Sequence, residues 1–111
     1  MNYESPLVSV LMTAYNREKY ITEAIESVLS STYKNFELII VDDKSKDNTV
    51  LIIEDFSKKD SRIKFFINEK NLGDYANRNK AAEYATGKYL KYLDSDDAIF
   101  DWGLSYCVEE M

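Results

Sequence analysis

Histidine is absent from the chain, cysteine occurs once (Cys107), proline once (Pro6) and glycine three times in 111 residues. Each scarcity removes a class of chemistry. Without imidazole there is no Ser-His or Cys-His nucleophile pair, no zinc site of mixed Cys and His, and no haem held by a ring nitrogen. A lone cysteine forms no internal disulfide, which suits a reducing compartment and removes the disulfide scaffolds. No apolar run exceeds four residues, Leu38 to Val41 among them, whereas a bilayer span needs about 20. Met1 to Pro6 has neither the basic start nor the apolar stretch of a signal peptide, so a cytoplasmic location is expected. Acidic side chains outnumber basic ones by 20 to 14, for a net charge of −6. That balance supplies no basic surface for nucleic acid. Any metal must be held mainly by oxygen, which selects Mg²⁺, Mn²⁺ or Ca²⁺.

What is present is enough for one globular domain over residues 1–111, with 45% apolar residues. Two kinds of segment alternate. Leu7 to Met12, Phe36 to Val41, Ile63 to Ile67 and Tyr89 to Leu93 are short apolar runs bounded by polar residues, which predicts strands. Ile21, Ala24, Ile25, Val28 and Leu29 recur with the spacing of one helix face. Val50, Ile53 and Phe56 mark a second helix with Asp47 near its start as a cap, and Ala81, Ala82 and Ala85 a third, closed by Gly87. A fourth helical pattern opens near Asp101 and still runs at Met111. The alternation predicts an α/β fold: an open, mostly parallel sheet with flanking helices and right-handed crossovers.

In such sheets ligands bind beyond the carboxyl ends of the strands, and all four following segments are polar. They are Thr13-Ala14-Tyr15-Asn16, Asp42-Asp43-Lys44-Ser45, the stretch from Asn68 to Gly73, and Asp94-Ser95-Asp96-Asp97. If the strands are parallel, five aspartates share one rim, and a cation there would relieve their repulsion. Asp is also common in solvated turns and at helix caps, which is the plainer account of either acidic pair. Dinucleotide and P-loop fingerprints are missing, and three glycines leave little scope for a backbone phosphate cradle. A diphosphate would therefore call for a metal.

These pieces, in this order, resemble the N-terminal half of family 2 glycosyltransferases, nucleotide-sugar-dependent inverting enzymes of GT-A fold. The matching residues are Val8 to Asn16, Ala24 to Leu29, Phe36 to Asp47, Asn71-Leu72-Gly73, Arg78-Asn79, Ala85 to Tyr89 and Leu93 to Asp97. The resemblance implies that Thr13, Ala14 and Tyr15 line the base pocket, with Tyr15 against the base. Asp43 would accept a hydrogen bond from a ring N–H of a uracil-like base. Lys70 would lie near the nucleotide, Arg78 would support it, and Asp94 and Ser95 would sit by the ribose and diphosphate. Asp96, with Asp94, would be the Asp-x-Asp pair that holds Mn²⁺ or Mg²⁺. The implied partners are a UDP-sugar donor and a saccharide or lipid-linked acceptor.

The chain departs from the family pattern at Lys44, where glycine is usual, and near Trp102, where many members carry proline. The family's general base lies well beyond the Asp-x-Asp motif, and Asp101, Glu109 and Glu110 follow it too closely to serve. The base is therefore expected downstream of Met111. The 111 residues read as the donor-binding part of a longer enzyme, prone to self-association and with little transferase activity alone. The full-length protein would work at the inner face of the membrane. Two other functions compete: a Mg²⁺-dependent phosphoryl-transfer or receiver-like domain, and a non-catalytic α/β interaction module. The first fits poorly, because nothing after the first strand is acidic until Glu18.

Overall fold

A computed structural model describes residues 6–31, 33–87 and 89–94. Their element order is β1 (Val8–Ala14), α1 (Ile21–Leu29), β2 (Phe36–Asp42), α2 (Thr49–Lys59), β3 (Ile63–Ile67), α3 (Asp74–Glu83) and β4 (Tyr89–Asp94). The four strands form one sheet in the order β3-β2-β1-β4, and every pairing is parallel. The open parallel sheet expected from the alternating segments is therefore present. The helical pattern from Asp101 to Met111 lies outside the described residues, as do Ser95, Asp96 and Asp97.

Alternation along the strands sorts their side chains onto two faces. Val8, Val10, Met12, Leu38 and Ile40 point to the side of α1 and α2, where Ile21, Ile25, Val28 and Ile53 complete the larger core. Leu11, Ile39 and Val41 point the other way and meet Ala81 of α3, with Phe66, Ala82, Tyr84 and Ala85 around them. The rings of Phe66 and Tyr84 stack at 3.7 Å between centroids. Two helices on one face and one on the other make a doubly wound sheet. β1 and β2 are buried almost throughout because both of their faces are covered.

Local expectations hold with two corrections. α1 buries Ile21, Ala24, Ile25 and Val28 of the stripe read from the sequence, and Leu29 is partly buried against the same core. Asp47 stands one residue before Asn48, the residue that caps α2, yet it does the capping chemistry. Its Oδ1 accepts from the Thr49 N–H at 3.0 Å and from the Thr49 hydroxyl. The third helix ends at Glu83, so Gly87 does not close it. Gly87 serves a close approach instead: a Cβ there would sit 2.6 Å from Ser9 Oγ, 2.7 Å from the Leu7 carbonyl oxygen and 2.8 Å from the Ser9 nitrogen. Glycine is required because β4 must start directly against β1.

Candidate functional site

The strand order fixes where the chain reverses. From β1 the first two crossovers run to β2 and β3 on one side, and the third returns to place β4 on the other. The switch point thus lies between the carboxyl ends of β1 and β4, where Thr13 pairs with Asp94. In open parallel sheets such a point is where ligands bind. Thr13 is half-buried and Ala14 buried, while Tyr15, the next residue, is 37% exposed. The Ala14 carbonyl accepts from the Asp43 N–H at 2.8 Å, which ties the second rim segment to the first.

Hydrogen bonds make the β1 and β2 loops one unit. Asn16 takes a left-handed backbone (φ 53°), which asparagine tolerates. Its N–H donates to Ser45 Oγ at 2.8 Å, and its Oδ1 accepts from the Lys46 N–H at 2.8 Å. The Arg17 N–H donates to Thr49 Oγ1 at 2.8 Å. Lys44 is also left-handed, at φ 63°. The turn that usually carries glycine is therefore formed here with a lysine, at a cost of about 1 kcal/mol or more.

The acidic pair after β2 is not waiting for a cation. Asp42 is buried and accepts from the Ser45 N–H at 2.7 Å and from the Ser45 hydroxyl. Asp43, 3% exposed, holds the segment after β3. Its Oδ1 accepts from the Leu72 N–H at 2.7 Å and from Asn68 Nδ2 at 2.9 Å, and its Oδ2 from the Gly73 N–H at 2.9 Å. The crowding of five aspartates expected at the rim is thus corrected for these two, since N–H and O–H donors of the protein already face their oxygens. Among the described residues no group of three or more acidic or cysteine side chains could hold a metal. Asp94 ends β4, and Asp96, the other expected ligand, lies outside the described residues.

The remaining candidates lie farther out. Lys70 is exposed in the loop after β3 and lines a groove with Ile67, Leu72, Lys80 and Tyr84, which includes neither Thr13 nor Tyr15. Arg78 is half-buried on α3. Sequence reasoning missed Asn68 and Asn77, which link Asp43 to α3, and it missed Glu37. Glu37 sits at the opposite end of the sheet, 4% exposed. Its carboxylate accepts from Ser9 Oγ at 2.6 Å, Lys64 Nζ at 2.8 Å, the Thr86 N–H at 2.7 Å and Thr86 Oγ1 at 3.0 Å. Burial raises its pKa, but these donors together outweigh burial and hold it at about 2. The one signal available was a charged residue inside an otherwise apolar strand.

A family model described as Glycosyl transferase family 2 matches residues 9–111. The chain is 49% identical over 96 residues to an uncharacterized glycosyltransferase of Methanocaldococcus jannaschii, covering 85% of this chain and 33% of that protein. It is 48% identical over 91 residues to UDP-Glc:alpha-D-GlcNAc-diphosphoundecaprenol beta-1,3-glucosyltransferase WfgD of Escherichia coli, covering 82% and 35%. The crystal structure of S. aureus TarS in complex with UDP-GlcNAc superposes with a TM-score of 0.85 at 35% identity, over 92% of this chain and 30% of that one. The chain thus spans about a third of the length of these relatives. With the family match running through nearly all of its residues, the chain belongs to glycosyl transferase family 2.

Proposed function

We propose that these residues form the donor site of an inverting glycosyltransferase that takes a UDP-sugar and a divalent cation. The observation that carries this is the switch point itself: Thr13 pairs with Asp94 at the ends of β1 and β4, with the exposed Tyr15 beside them. Similarity to TarS, solved with UDP-GlcNAc, and to WfgD, a UDP-glucose-dependent enzyme by name, supports the choice of donor. Tyr15 stacks on the base, Thr13 and Ala14 form the pocket wall, and Asp43 accepts the base's ring N–H. Lys70 lies near the nucleotide, Arg78 supports it, and Asp94 and Ser95 would sit by the ribose and diphosphate.

The residues present suit an oxygen-preferring ion. Asp42 and Asp43 are engaged within the protein, histidine is absent, and Asp94 ends β4 with Asp96 and Asp97 following it in sequence. Asp94 and Asp96 would hold Mn²⁺ or Mg²⁺, which neutralises the charge of the departing nucleoside diphosphate. The acceptor is a saccharide, lipid-linked as in the name of WfgD, and the general base lies beyond Met111. Such an acceptor puts the full-length enzyme at the cytoplasmic face of a membrane.

Thermal unfolding of the 111-residue chain with UDP or GDP, each with and without Mn²⁺, tests the reading. UDP at roughly 100 times its Kd adds about 2.7 kcal/mol, raising the midpoint by about ten degrees. The expected result is a rise with UDP that needs Mn²⁺ and disappears in Asp96→Ala. No rise with any nucleotide refutes the donor site.

A further inference from the structure

Asp43 is held by a chain of side-chain amides whose route is unusually complete. Asn77 lies on the buried side of α3, 2% exposed, and its Nδ2 donates to the carbonyl oxygen of Val41 in β2 at 3.0 Å. Its Oδ1 accepts from Asn68 Nδ2 at 2.7 Å, and the same Nδ2 donates to Asp43 Oδ1 at 2.9 Å. Both protons of the Asn68 amide are therefore committed, and its orientation is fixed. Asp43 Oδ1 receives two donors, Asn68 and the Leu72 N–H, whereas Oδ2 receives one, the Gly73 N–H. A carboxylate oxygen has about two lone-pair sites. Among the described residues, Oδ1 is saturated and Oδ2 retains one acceptor site.

We propose that Asn68 and Asn77 are positioning residues for base recognition, holding Asp43 so that its Oδ2 is the acceptor presented to a ring N–H of the nucleotide. This rests on the donor-site reading above. A uracil ring offers an N–H at its third position. Cytosine has a bare lone pair there, which faces the same oxygen with repulsion and no hydrogen bond. The relay sets which oxygen is available and in which direction. Without it, the carboxylate turns toward the vacated amide position, and the distinction between the two bases weakens.

The experiment measures Kd by titration calorimetry for UDP, CDP and inorganic pyrophosphate, each with Mn²⁺, on the full 111-residue chain. Wild type is expected to prefer UDP over CDP by about tenfold or more, as a site built to pair a donor does. In Asp43→Asn and in Asn68→Ala the preference falls to about threefold or less, while pyrophosphate, which has no base, binds as in wild type. Where Asn68→Ala does not fold, Asn77→Ser is read instead, since it leaves Asn68 beside Asp43 but removes its anchor. If the Asn variant keeps the tenfold preference while Asp43→Asn loses it, the positioning role is overturned and the donor site stands. An equal loss of UDP, CDP and pyrophosphate binding in Asn68→Ala makes the relay purely structural and also overturns it. A wild-type chain that binds neither nucleotide overturns the donor site and the relay together.

Discussion

Tyr15, proposed to stack on the base, can be told from a core residue by its stability effect. It is 37% exposed just after a strand whose residues are nearly all buried, so part of its ring faces solvent. Tyr15→Ala is expected to weaken UDP binding by about 1–3 kcal/mol while leaving the unfolding midpoint within a degree or so of wild type. Calorimetry and a thermal melt on the same sample check both halves, and a large fall in the midpoint would make Tyr15 a packing residue. The places of Thr13, Tyr15 and Asp94 at strand ends are legible in the sequence because each ends or follows an apolar run. Asn68 and Asn77 are not, because an amide's role depends on partners up to 36 residues away. Lys44 falls between: its departure from glycine was visible, but only the structure shows that the left-handed turn survives it.

Element boundaries follow the same division. Strands read from apolar runs begin or end within two residues of their positions in the structure, and the α1 stripe is the one observed. The end of α3 was misjudged because glycine signals either a helix stop or a close approach, and only the packing of β4 on β1 tells them apart. Gly87→Ala is expected to destabilise by about 1–3 kcal/mol, since two of the three atoms it would strike are backbone. Urea denaturation checks this, and an unchanged midpoint would show that the β1–β4 junction yields. Glu37 locks the same junction through Ser9 and Thr86, and Ser9 Oγ in turn accepts from the Gly87 N–H at 2.8 Å. Its pKa is lowered from 4.5 to about 2. A lowered carboxyl adds stability above its unfolded pKa and loses it as pH falls through the folded one. Wild type should therefore lose stability on the order of 2–3 kcal/mol between about pH 4.5 and 2 on this account. Glu37→Gln, starting less stable, should show a flatter acid limb in melts over that window. Parallel acid limbs for the two proteins would count against the assigned shift.

At the scale of the molecule, the two faces of the sheet are unequally covered by the described residues. α3 packs over β1 and β2, and Leu90 and Tyr92, which share its side of the sheet through their pairing with Ser9 and Leu11, remain 40% and 47% exposed. Apolar side chains on β4, an edge strand among the described residues, favour association between copies. Sedimentation of the 111-residue chain should show a concentration-dependent rise in mass that Tyr92→Lys reduces. A monomer at all concentrations would refute this. The net charge of −6 opposes such contacts, so added salt should strengthen the association.

The seven residues of β2 are all buried, with β1 hydrogen-bonded on one side and β3 on the other. Its amide protons can reach solvent deuterium only when the whole sheet opens, unlike those of a fraying edge. Isotope uptake at Leu38 to Val41 is then a clock for global opening. A nucleotide bound at the distant rim, at roughly 100 times its Kd, should slow that clock about a hundredfold without touching a single atom of the strand's centre.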